Sequence, residues 1–278
     1  MDKNHIVHLL ENHGIELKPE LDQHFMLDDV MIEKIIETAE IGKNDTVFEI
    51  GSGIGTLTKE IAKKSKKVIA VEFDKRFEPV AYEITKDLKN IEFVWGNALK
   101  EIEHRDFDVL ISNTPYSICE ALMQRLIYKK FRSAVLSVPK KFSEILFAKK
   151  GYKRYSKLSL IVNAFFKIEL KYSIPKNAFY PIPKMKSVII KITPLNMGYY
   201  KKHKEKYILT QIFLHKKRKL KNAIREAIIS FGELENRKIT KRQAKGIVKN
   251  LGNIPERFER LKLEDFESLI YKLKRSMF

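Results

Sequence analysis

Short apolar runs alternate with amphipathic segments over the first half of the chain. Five runs rich in β-branched and aromatic residues predict strands at 46–50, 67–73, 91–95, 107–112 and 134–138. Between them, segments such as 58–66 and 75–88 repeat apolar residues at helical spacing. Such alternation is typical of βαβ units, so we predict an α/β fold with a mostly parallel sheet and helices on both faces.

The pattern changes in the second half. Runs at 158–166 and 188–193 predict further strands, joined by a proline-containing loop at 177–184 and paired antiparallel at the sheet edge. Beyond Pro194 and a predicted turn at 198–200, only helical periodicity remains. The predicted organisation has three parts: an N-terminal arm at 1–20, a sheet domain at 21–197 and a small all-α domain at 198–278.

Composition adds a charge imbalance. The 278 residues include 54 Lys and Arg against 35 Asp and Glu, a formal net charge of +19 that favours a polyanionic partner, although a generally lysine-rich proteome would also produce it. One cysteine, Cys119, excludes an internal disulfide, and the histidines lack zinc-site spacing. No apolar run has the length of a signal peptide or membrane span. We therefore predict a cytoplasmic protein without a metal or a membrane contact.

The positive charge is concentrated in one stretch. Residues 201–245 carry 15 Lys or Arg against 4 Glu, which a general lysine bias would not produce. Within 211–230, apolar residues fall on one helical face: Phe213, Leu220, Ile224, Ala227 and Ile228. The cations lie largely around the rest, and we predict that they contact the phosphates of a duplex or of a folded RNA. The predicted phosphate contacts are Lys216, Lys217, Arg218, Lys219 and Lys221. A solvated surface helix is the alternative interpretation.

A glycine-rich loop follows the first predicted strand. Gly51, Gly53 and Gly55 allow a tight turn and close backbone approach to a ligand, ahead of a helix N-terminus. Glu72 ends the next strand, 21 positions after Gly51, where an acid can accept hydrogen bonds from both hydroxyls of a ribose. The loop and the acid together predict the binding of a ligand that contains a ribose. A purely structural turn and a solvated strand-end carboxylate are the alternatives.

The segment Asn113-Thr114-Pro115-Tyr116 directly follows the strand predicted at 107–112. The carboxyl end of such a strand is where open α/β sheets bind ligands. An exocyclic aromatic amine is a poor nucleophile, so an enzyme that alkylates it needs acceptors for both N–H bonds. The Asn113 side-chain oxygen and the Pro115 carbonyl can supply them, and Tyr116 can stack on a base. A simple turn is the alternative.

In order along the chain, these segments resemble the KsgA-type ribosomal RNA adenine N6,N6-dimethyltransferases, relatives of the Erm methyltransferases. The resemblance runs from about residue 14 to the C-terminus. The similar motifs are G-Q-N/H-F-L-x-D at 22–28, E-I-G-x-G-x-G-x-L-T at 49–58, the strand-two acid at Glu72, G-D-A at 96–98, N-L-P-Y at 113–116, Y-G-R-L-S at 155–159, A-F-x-P-x-P-K at 178–184 and F-x-x-R-R-K-x-L-R-N at 213–222.

The resemblance implies a Rossmann-like class I methyltransferase domain followed by a helical RNA-docking domain. It implies S-adenosylmethionine binding by His24, Met26, Gly51, Gly53, Glu72, Asn97 and Asn113. The implied catalytic residues are Asn113, Pro115 and Tyr116, with the target adenine against Tyr116 and Phe179. The implied substrate is a loop near the 3′ end of small-subunit ribosomal RNA, in which two adjacent adenosines each receive two methyl groups during subunit assembly. We expect a monomer that acts on this RNA or on the immature subunit.

The chain departs from the family motifs at several positions. Asn97 stands in place of Asp, Thr114 in place of Leu with a hydroxyl beside the catalytic loop, Asp22 in place of Gly, and Met26 in place of Leu. The first three motivate a second hypothesis, a weak or inactive paralogue that serves as an RNA-binding assembly factor. A third hypothesis is a DNA adenine methyltransferase, because Asn-x-Pro-Tyr resembles the motif of enzymes that modify amino groups in DNA.

Overall fold

The structure is a computed structural model that describes residues 3–18 and 22–277. Its strands are β1 (Phe25–Met26), β2 (Thr46–Ile50), β3 (Lys67–Glu72), β4 (Ile91–Trp95), β5 (Val109–Asn113), β6 (Ser133–Pro139), β7 (Phe166–Ile174), β8 (Phe179–Tyr180) and β9 (Ser187–Pro194). Its helices are α1 (Lys3–Asn12), α2 (Asp29–Ala39), α3 (Thr56–Lys64), α4 (Glu78–Thr85), α5 (Ala98–His104), α6 (Cys119–Leu126), α7 (Lys140–Phe147), α8 (Lys157–Phe165), α9 (Met197–Lys202), α10 (Lys204–Leu214), α11 (Leu220–Leu234), α12 (Lys241–Asn250) and α13 (Leu263–Met277). Residues 1, 2, 19 and 20 of the predicted arm lie outside the described residues, as do 21 and 278.

Seven strands form one sheet in the order β4-β3-β2-β5-β6-β9-β7. Neighbouring strands run parallel from β4 to β6, and β9 runs antiparallel to β6. This confirms the predicted α/β class, the five parallel strands and the strand at 188–193. A separate two-stranded sheet pairs β1 with β8, placing Phe25 opposite Tyr180 and Met26 opposite Phe179.

The direction of strand addition reverses between β2 and β5. The chain adds β3 and β4 on one side of β2, and then returns to add β5 and β6 on the other side. The connections that leave the carboxyl ends of β2 and β5 therefore diverge and open a crevice. The predicted glycine loop and the segment at 113–116 both lie at this edge.

The sheet core lies against α2 and α3. Val47, Val109 and Val135 come from three neighbouring strands and are fully buried together with Ile35 of α2 and Ile61 of α3. Because helices cover the sheet, these parallel strands are apolar along nearly their whole length, which is why their sequences read as continuous runs. This packing holds the strand ends, and hence the loops of the crevice, in fixed positions.

The chain divides into two compact units. The first contains the described residues of Met1–Glu144 together with Ile168–Pro194, and it includes the seven-stranded sheet apart from the first two residues of β7. In this unit α1 buries Ile6, Leu9 and Leu10 in a cluster with Phe25 and Phe77. The second unit comprises Ile145–Lys167 and the described residues from Leu195 onward, and its core is helical. Among the described residues, no helix is long and apolar enough to cross a membrane, and no cluster of three His, Cys, Asp or Glu is arranged to hold a metal ion.

The strand predicted at 158–166 is wrong, because these residues form α8. Ser156 caps this helix, since its hydroxyl accepts from the Ser159 backbone N–H while the Ser159 hydroxyl accepts from the Ser156 N–H. An apolar run of this length does not distinguish a buried helix from a buried strand. The strand instead follows as β7, whose sequence F-K-I-E-L-K-Y-S-I alternates apolar and polar residues, as is typical of a strand.

The single helix predicted within 211–230 is interrupted. Helix α10 ends at Leu214 and α11 begins at Leu220, whose backbone N–H donates to the Glu256 carbonyl at 2.8 Å instead of to a helical carbonyl. The apolar residues predicted to share a helical face are all buried, which agrees with their helical spacing. The break between α10 and α11, where Leu220 bonds to Glu256, was not predicted. The turn predicted at 198–200 is wrong, because these residues belong to α9. The Asn196 side chain caps this helix by accepting from the Tyr199 N–H.

Candidate active site

The glycine loop after β2 has a backbone that requires glycine. Gly51 and Gly53 have φ values of +73° and +54°, in the left-handed region that L-residues rarely adopt. A β carbon at Gly53 would lie 2.8 Å from Phe25 Cε1. At Gly51 it would lie 3.5 Å from the Asn113 carbonyl oxygen. The loop is therefore packed closely between β1 and the end of β5.

The Glu72 carboxylate is held by two backbone donors. The Gly53 N–H donates to Oε2 at 2.8 Å and the Asp74 N–H to Oε1 at 2.9 Å. Burial raises the pKa of Glu72, and these hydrogen bonds oppose the rise. A carboxylate has about four acceptor sites, so both oxygens keep capacity for further donors. The two bonds fix the orientation in which Glu72 can receive ligand hydroxyls.

Two adjoining cavities open along this edge of the sheet. The larger, of about 280 Å³, has walls formed by Glu72, Phe73, Asn97 and Ile118. The smaller, of about 60 Å³, has walls formed by His24, Met26, Gly53 and Asn113. Gly51, Glu72 and Pro115 line both cavities. The pair suits an elongated ligand with a flat, partly apolar end beside Phe73 and Ile118 and a polar end beside the glycine loop.

Asn97 lies at the wall of the larger cavity and also caps α5. Its side-chain oxygen accepts from the Leu99 backbone N–H at 2.9 Å. The amide N–H₂ is thereby directed away from the helix, and the side chain is exposed. Asn97 is placed where the resemblance expects a cofactor contact, but its acceptor oxygen already serves the helix.

The Asn113 side chain has a defined orientation. Its Nδ2 donates to the His24 carbonyl oxygen at 2.6 Å, so Oδ1 is the atom left to accept from a substrate. The His24 ring is itself held, because its Nδ1 donates to the Pro181 carbonyl at 2.8 Å. The opening motif, the loop after β5 and the proline-containing loop are thus joined through His24.

Tyr116 begins a 3₁₀ turn that runs to Ile118. Its hydroxyl is 2.7 Å from the Ser187 hydroxyl, and burial of the half-buried ring raises the pKa of the phenol, which therefore keeps its proton. The Pro115 carbonyl already accepts from the Ile118 N–H at 3.1 Å within this turn. Its predicted role toward a substrate amine stays a prediction. Thr114 is 2% exposed and lines neither cavity, so its hydroxyl is not presented to a ligand there.

Met26 and Phe179 face each other across the small β1–β8 sheet. Both are buried in the core beside α2, with Phe179 only 4% exposed. Met26 lines the smaller cavity, as expected for a cofactor contact. The predicted stacking of a target base on Phe179 stays a prediction, and it would require the ring to leave its core position.

A second buried carboxyl, Glu49, lies one residue before the end of β2. It is 1% exposed, and the nearby Thr58 hydroxyl opposes the effect of burial on its pKa without forming a hydrogen bond of good geometry. Burial, with a smaller contribution from the charge of Glu72, raises the pKa of Glu49 to about 8. The group is therefore mainly protonated at neutral pH.

Several site residues were not among the predicted ones. Gln23 donates to Asp74 at 2.8 Å, and Asp74 forms an ion pair with Arg76 that lowers its pKa. Phe73 is 69% exposed and lines the larger cavity. Their positions gave a usable signal, since Gln23 belongs to the opening motif and Phe73 and Asp74 directly follow Glu72. The Ser187 contact with Tyr116 had no signal in the sequence.

The basic residues belong to the second unit and form one group at its surface. Lys216, Lys217, Arg218 and Lys219 lie in the turn between α10 and α11, and Lys221 lies in the first turn of α11. Lys216 stacks over the Phe213 ring at 4.3 Å, while Arg218 and Lys219 lie 3.6 and 3.0 Å from Glu226 and Glu256. Lys217 and Lys221 are exposed and form no ion pair within the described part of the chain. We call these five residues the basic turn.

The chain is similar to known proteins over most of its length. The family described as "Ribosomal RNA adenine dimethylase" matches residues 14–251. A "Probable ribosomal RNA small subunit methyltransferase A" from Methanococcus maripaludis is 34% identical over 260 residues, covering 90% of this chain and 95% of that protein. A "Ribosomal RNA small subunit methyltransferase A" from Thermotoga maritima is 33% identical over 224 residues, covering 80% of this chain and 79% of that protein.

Two solved structures share the fold over nearly the whole chain. A dimethyladenosine transferase from Plasmodium falciparum has a TM-score of 0.62 at 27% identity, and the match covers 91% of this chain and 98% of that one. The 23S rRNA methyltransferase ErmE has a TM-score of 0.56 at 21% identity, over 90% of this chain and 99% of that one. The second likeness concerns the fold alone.

Proposed function

Because the chain belongs to the ribosomal RNA adenine dimethylase family, we propose that it transfers methyl groups from S-adenosylmethionine to the N6 amino groups of adenosines in small-subunit ribosomal RNA. The roles proposed for the residues of the site rest on one observation, the orientation of the Asn113 side chain. Its Nδ2 is committed to the His24 carbonyl, which leaves Oδ1 as an acceptor beside Tyr116 and next to the cavities. Nothing in the comparisons favours an assembly factor without activity or a DNA methyltransferase.

The chemistry of the cavities fits S-adenosylmethionine. The fixed Glu72 carboxylate can receive the ribose hydroxyls, and the exposed Phe73 ring can cover the adenine. At the other end, the left-handed Gly51 and Gly53 keep the backbone free of side chains where the amino-acid portion would lie. When bound, this cofactor supplies a methyl carbon attached to a positively charged sulfur.

Asn113 and Tyr116 would prepare the target amine. Asn113 Oδ1 accepts one amine N–H, which favours the tetrahedral nitrogen that forms as its lone pair is used. Tyr116 offers one face of a phenol ring anchored by Ser187, on which the adenine can stack. Much of the rate then comes from alignment, since the amine is held in line with the methyl group. As the N–C bond forms, the sulfur–methyl bond breaks and the nitrogen releases one proton, which passes to water. Tyr116 does not take this proton, since burial raises the pKa of its phenol and the phenol keeps its own proton.

The basic turn would bind RNA through its phosphates. Clustered cations gain affinity by releasing counterions from RNA, and this contribution is independent of sequence. The target adenosine must leave its stack to reach Asn113, which favours a loop over a duplex. We infer that the protein acts as a cytoplasmic monomer on small-subunit RNA or an immature subunit, with affinity from the basic turn and target choice from the pocket.

Transfer of radiolabelled methyl groups tests this proposal. Purified protein is incubated with labelled S-adenosylmethionine and with small-subunit RNA or immature subunits from cells lacking the protein. We expect labelled N6,N6-dimethyladenosine by mass spectrometry, and loss of transfer by about a hundredfold or more in Asn113→Ala and Tyr116→Ala. Asn250→Ala and Tyr82→Ala remove the same side-chain types at exposed positions outside the site and should retain transfer. Absence of transfer to any RNA or subunit by the folded protein, or preference for duplex DNA, would overturn the proposal.

A further inference from the structure

Asp22 has an unusual backbone conformation for a residue with a side chain. Its φ is +54°, in the left-handed region, where Asp is tolerated better than most residues because its short polar side chain can form local hydrogen bonds. The family motif has Gly at this position. The backbone shape that glycine would provide is therefore kept, and a carboxylate is added to it.

The Asp22 side chain reaches the catalytic loop. Its Oδ2 accepts from the Ser117 backbone N–H at 3.1 Å, across 95 positions of sequence. Ser117 is the middle residue of the 3₁₀ turn that begins at Tyr116. The first N–H groups of a helical turn have no partner within the turn, so the Asp22 carboxylate acts as a cap supplied from another segment.

This turn belongs to both halves of the site. Tyr116 at its start is the proposed stacking surface for the target adenine, and Ser117 and Ile118 line the larger cavity proposed for the cofactor. A shift of the turn would therefore displace the target base and the cofactor relative to each other. In-line transfer depends steeply on that alignment, and an error of about 1 Å can cost on the order of a hundredfold in rate.

The two residues after Asp22 also form hydrogen bonds with loops of the site. Gln23 donates to Asp74 in the loop after β3, and the His24 carbonyl accepts from Asn113. Three consecutive residues thus fix the loop after β3, the Asn113 side chain and the turn after it. Of these three contacts, the one from Asp22 holds the turn at Ser117.

We infer that Asp22 is a positioning residue, whose carboxylate holds the Tyr116–Ile118 turn in the geometry that transfer needs. The inference rests on the proposed function, and it assigns a purpose to a departure from the family motif. It requires an acceptor oxygen at position 22, and a glycine there cannot replace it even though glycine suits the backbone better.

Three variants separate positioning from a structural role. Asp22→Gly relieves the left-handed backbone but removes the acceptor, whereas Asp22→Asn keeps both an acceptor oxygen and tolerance of positive φ. Asn236→Gly is the matched control, because Asn236 has a φ of +55°, is exposed and lies in the second unit. We expect kcat to fall about tenfold or more in Asp22→Gly with an unchanged or higher Tm, and to stay within about threefold of wild type in Asp22→Asn. Asn236→Gly should leave kcat unchanged.

Amide hydrogen exchange gives a readout that does not depend on activity. The Ser117 N–H should exchange slowly in the wild type and in Asp22→Asn, and at least tenfold faster in Asp22→Gly. If the wild type transfers no methyl group, the proposed function fails while this measurement still decides whether Asp22 holds the turn. The inference is overturned if Asp22→Gly keeps both kcat and Ser117 protection, or if Asp22→Asn loses as much kcat as Asp22→Gly.

Discussion

Replacing Gly53 by alanine should destabilise the first unit through two separable effects. The residue has a φ of +54°, and its added β carbon would lie 2.8 and 2.9 Å from Cε1 and Cδ1 of Phe25. The Phe25 ring cannot move aside freely, because it is buried, packs edge-on against Phe77 at 5.2 Å and belongs to a strand paired with Tyr180. The substitution therefore strains both the backbone and the packing.

The two effects can be given magnitudes. The left-handed conformation costs an L-residue roughly 1–2 kcal/mol. Inserting a methyl group into a filled space costs about 1–3 kcal/mol more. Gly14 offers a matched control, since its φ is +62° and no atom lies within 4 Å of its β-carbon position. Alanine at Gly14 meets only the backbone cost, so the two variants should differ by about 1–3 kcal/mol, the cost of the Phe25 clash.

Urea unfolding followed by tryptophan fluorescence measures this difference. Trp95 is the single tryptophan of the chain, and it lies in β4. Gly14, Gly53 and Trp95 all belong to the first unit, so the fluorescence of Trp95 reports on the unit that carries both substitutions. The free energy of unfolding should fall more for Gly53→Ala than for Gly14→Ala at similar m-values. Equal losses in the two variants would refute the packing argument and leave backbone strain as the whole effect.

Three further predictions concern buried charge, the catalytic ring and RNA affinity. Because burial raises the pKa of Glu49 from 4.5 to about 8, the folded state binds more protons than the unfolded state between these values, so stability falls as pH rises through that window. Glu49→Gln should remove this pH dependence, so the free energy of unfolding should fall more in the wild type than in the variant between pH 5 and pH 8. The difference should be on the order of a few kcal/mol, since one unit of pKa corresponds to about 1.4 kcal/mol. Parallel pH–stability curves for the two proteins would contradict this prediction. Ser187→Ala and Tyr116→Phe should each lower kcat/KM about threefold to tenfold, and the double variant should lose little more, because each removes the same hydrogen bond; additive losses would show that the bond is not shared. Replacing Lys217 and Lys221 by Gln should weaken RNA binding and reduce the slope of log K against log salt by about 0.7–0.9 for each phosphate that these lysines neutralise, whereas an unchanged slope would place the RNA elsewhere.

The sheet domain could be predicted to a large extent, because its strands are covered by helices. Each parallel strand reads as a short apolar run bounded by turn residues, and five such runs were enough to infer the sheet and its ligand-binding edge. The region around 158–166 could not be resolved in the same way. A buried helix and a buried strand can share one apolar run, and the capping pair Ser156 and Ser159 that decides for the helix is a weaker signal.

By itself, the sequence determined which chemical groups stand at the carboxyl ends of the strands. The glycine loop, Glu72 and Asn113 follow their strands directly, so their presence in one crevice depended only on chain order and the handed, parallel topology. The tertiary structure decided how those groups are oriented. Asn113 is turned by a carbonyl 89 positions away, and the turn after it is held by Asp22 from 95 positions away. Hydrogen bonds of this kind depend on positions fixed within a few tenths of an ångström by packing, and no local pattern of residues encodes them.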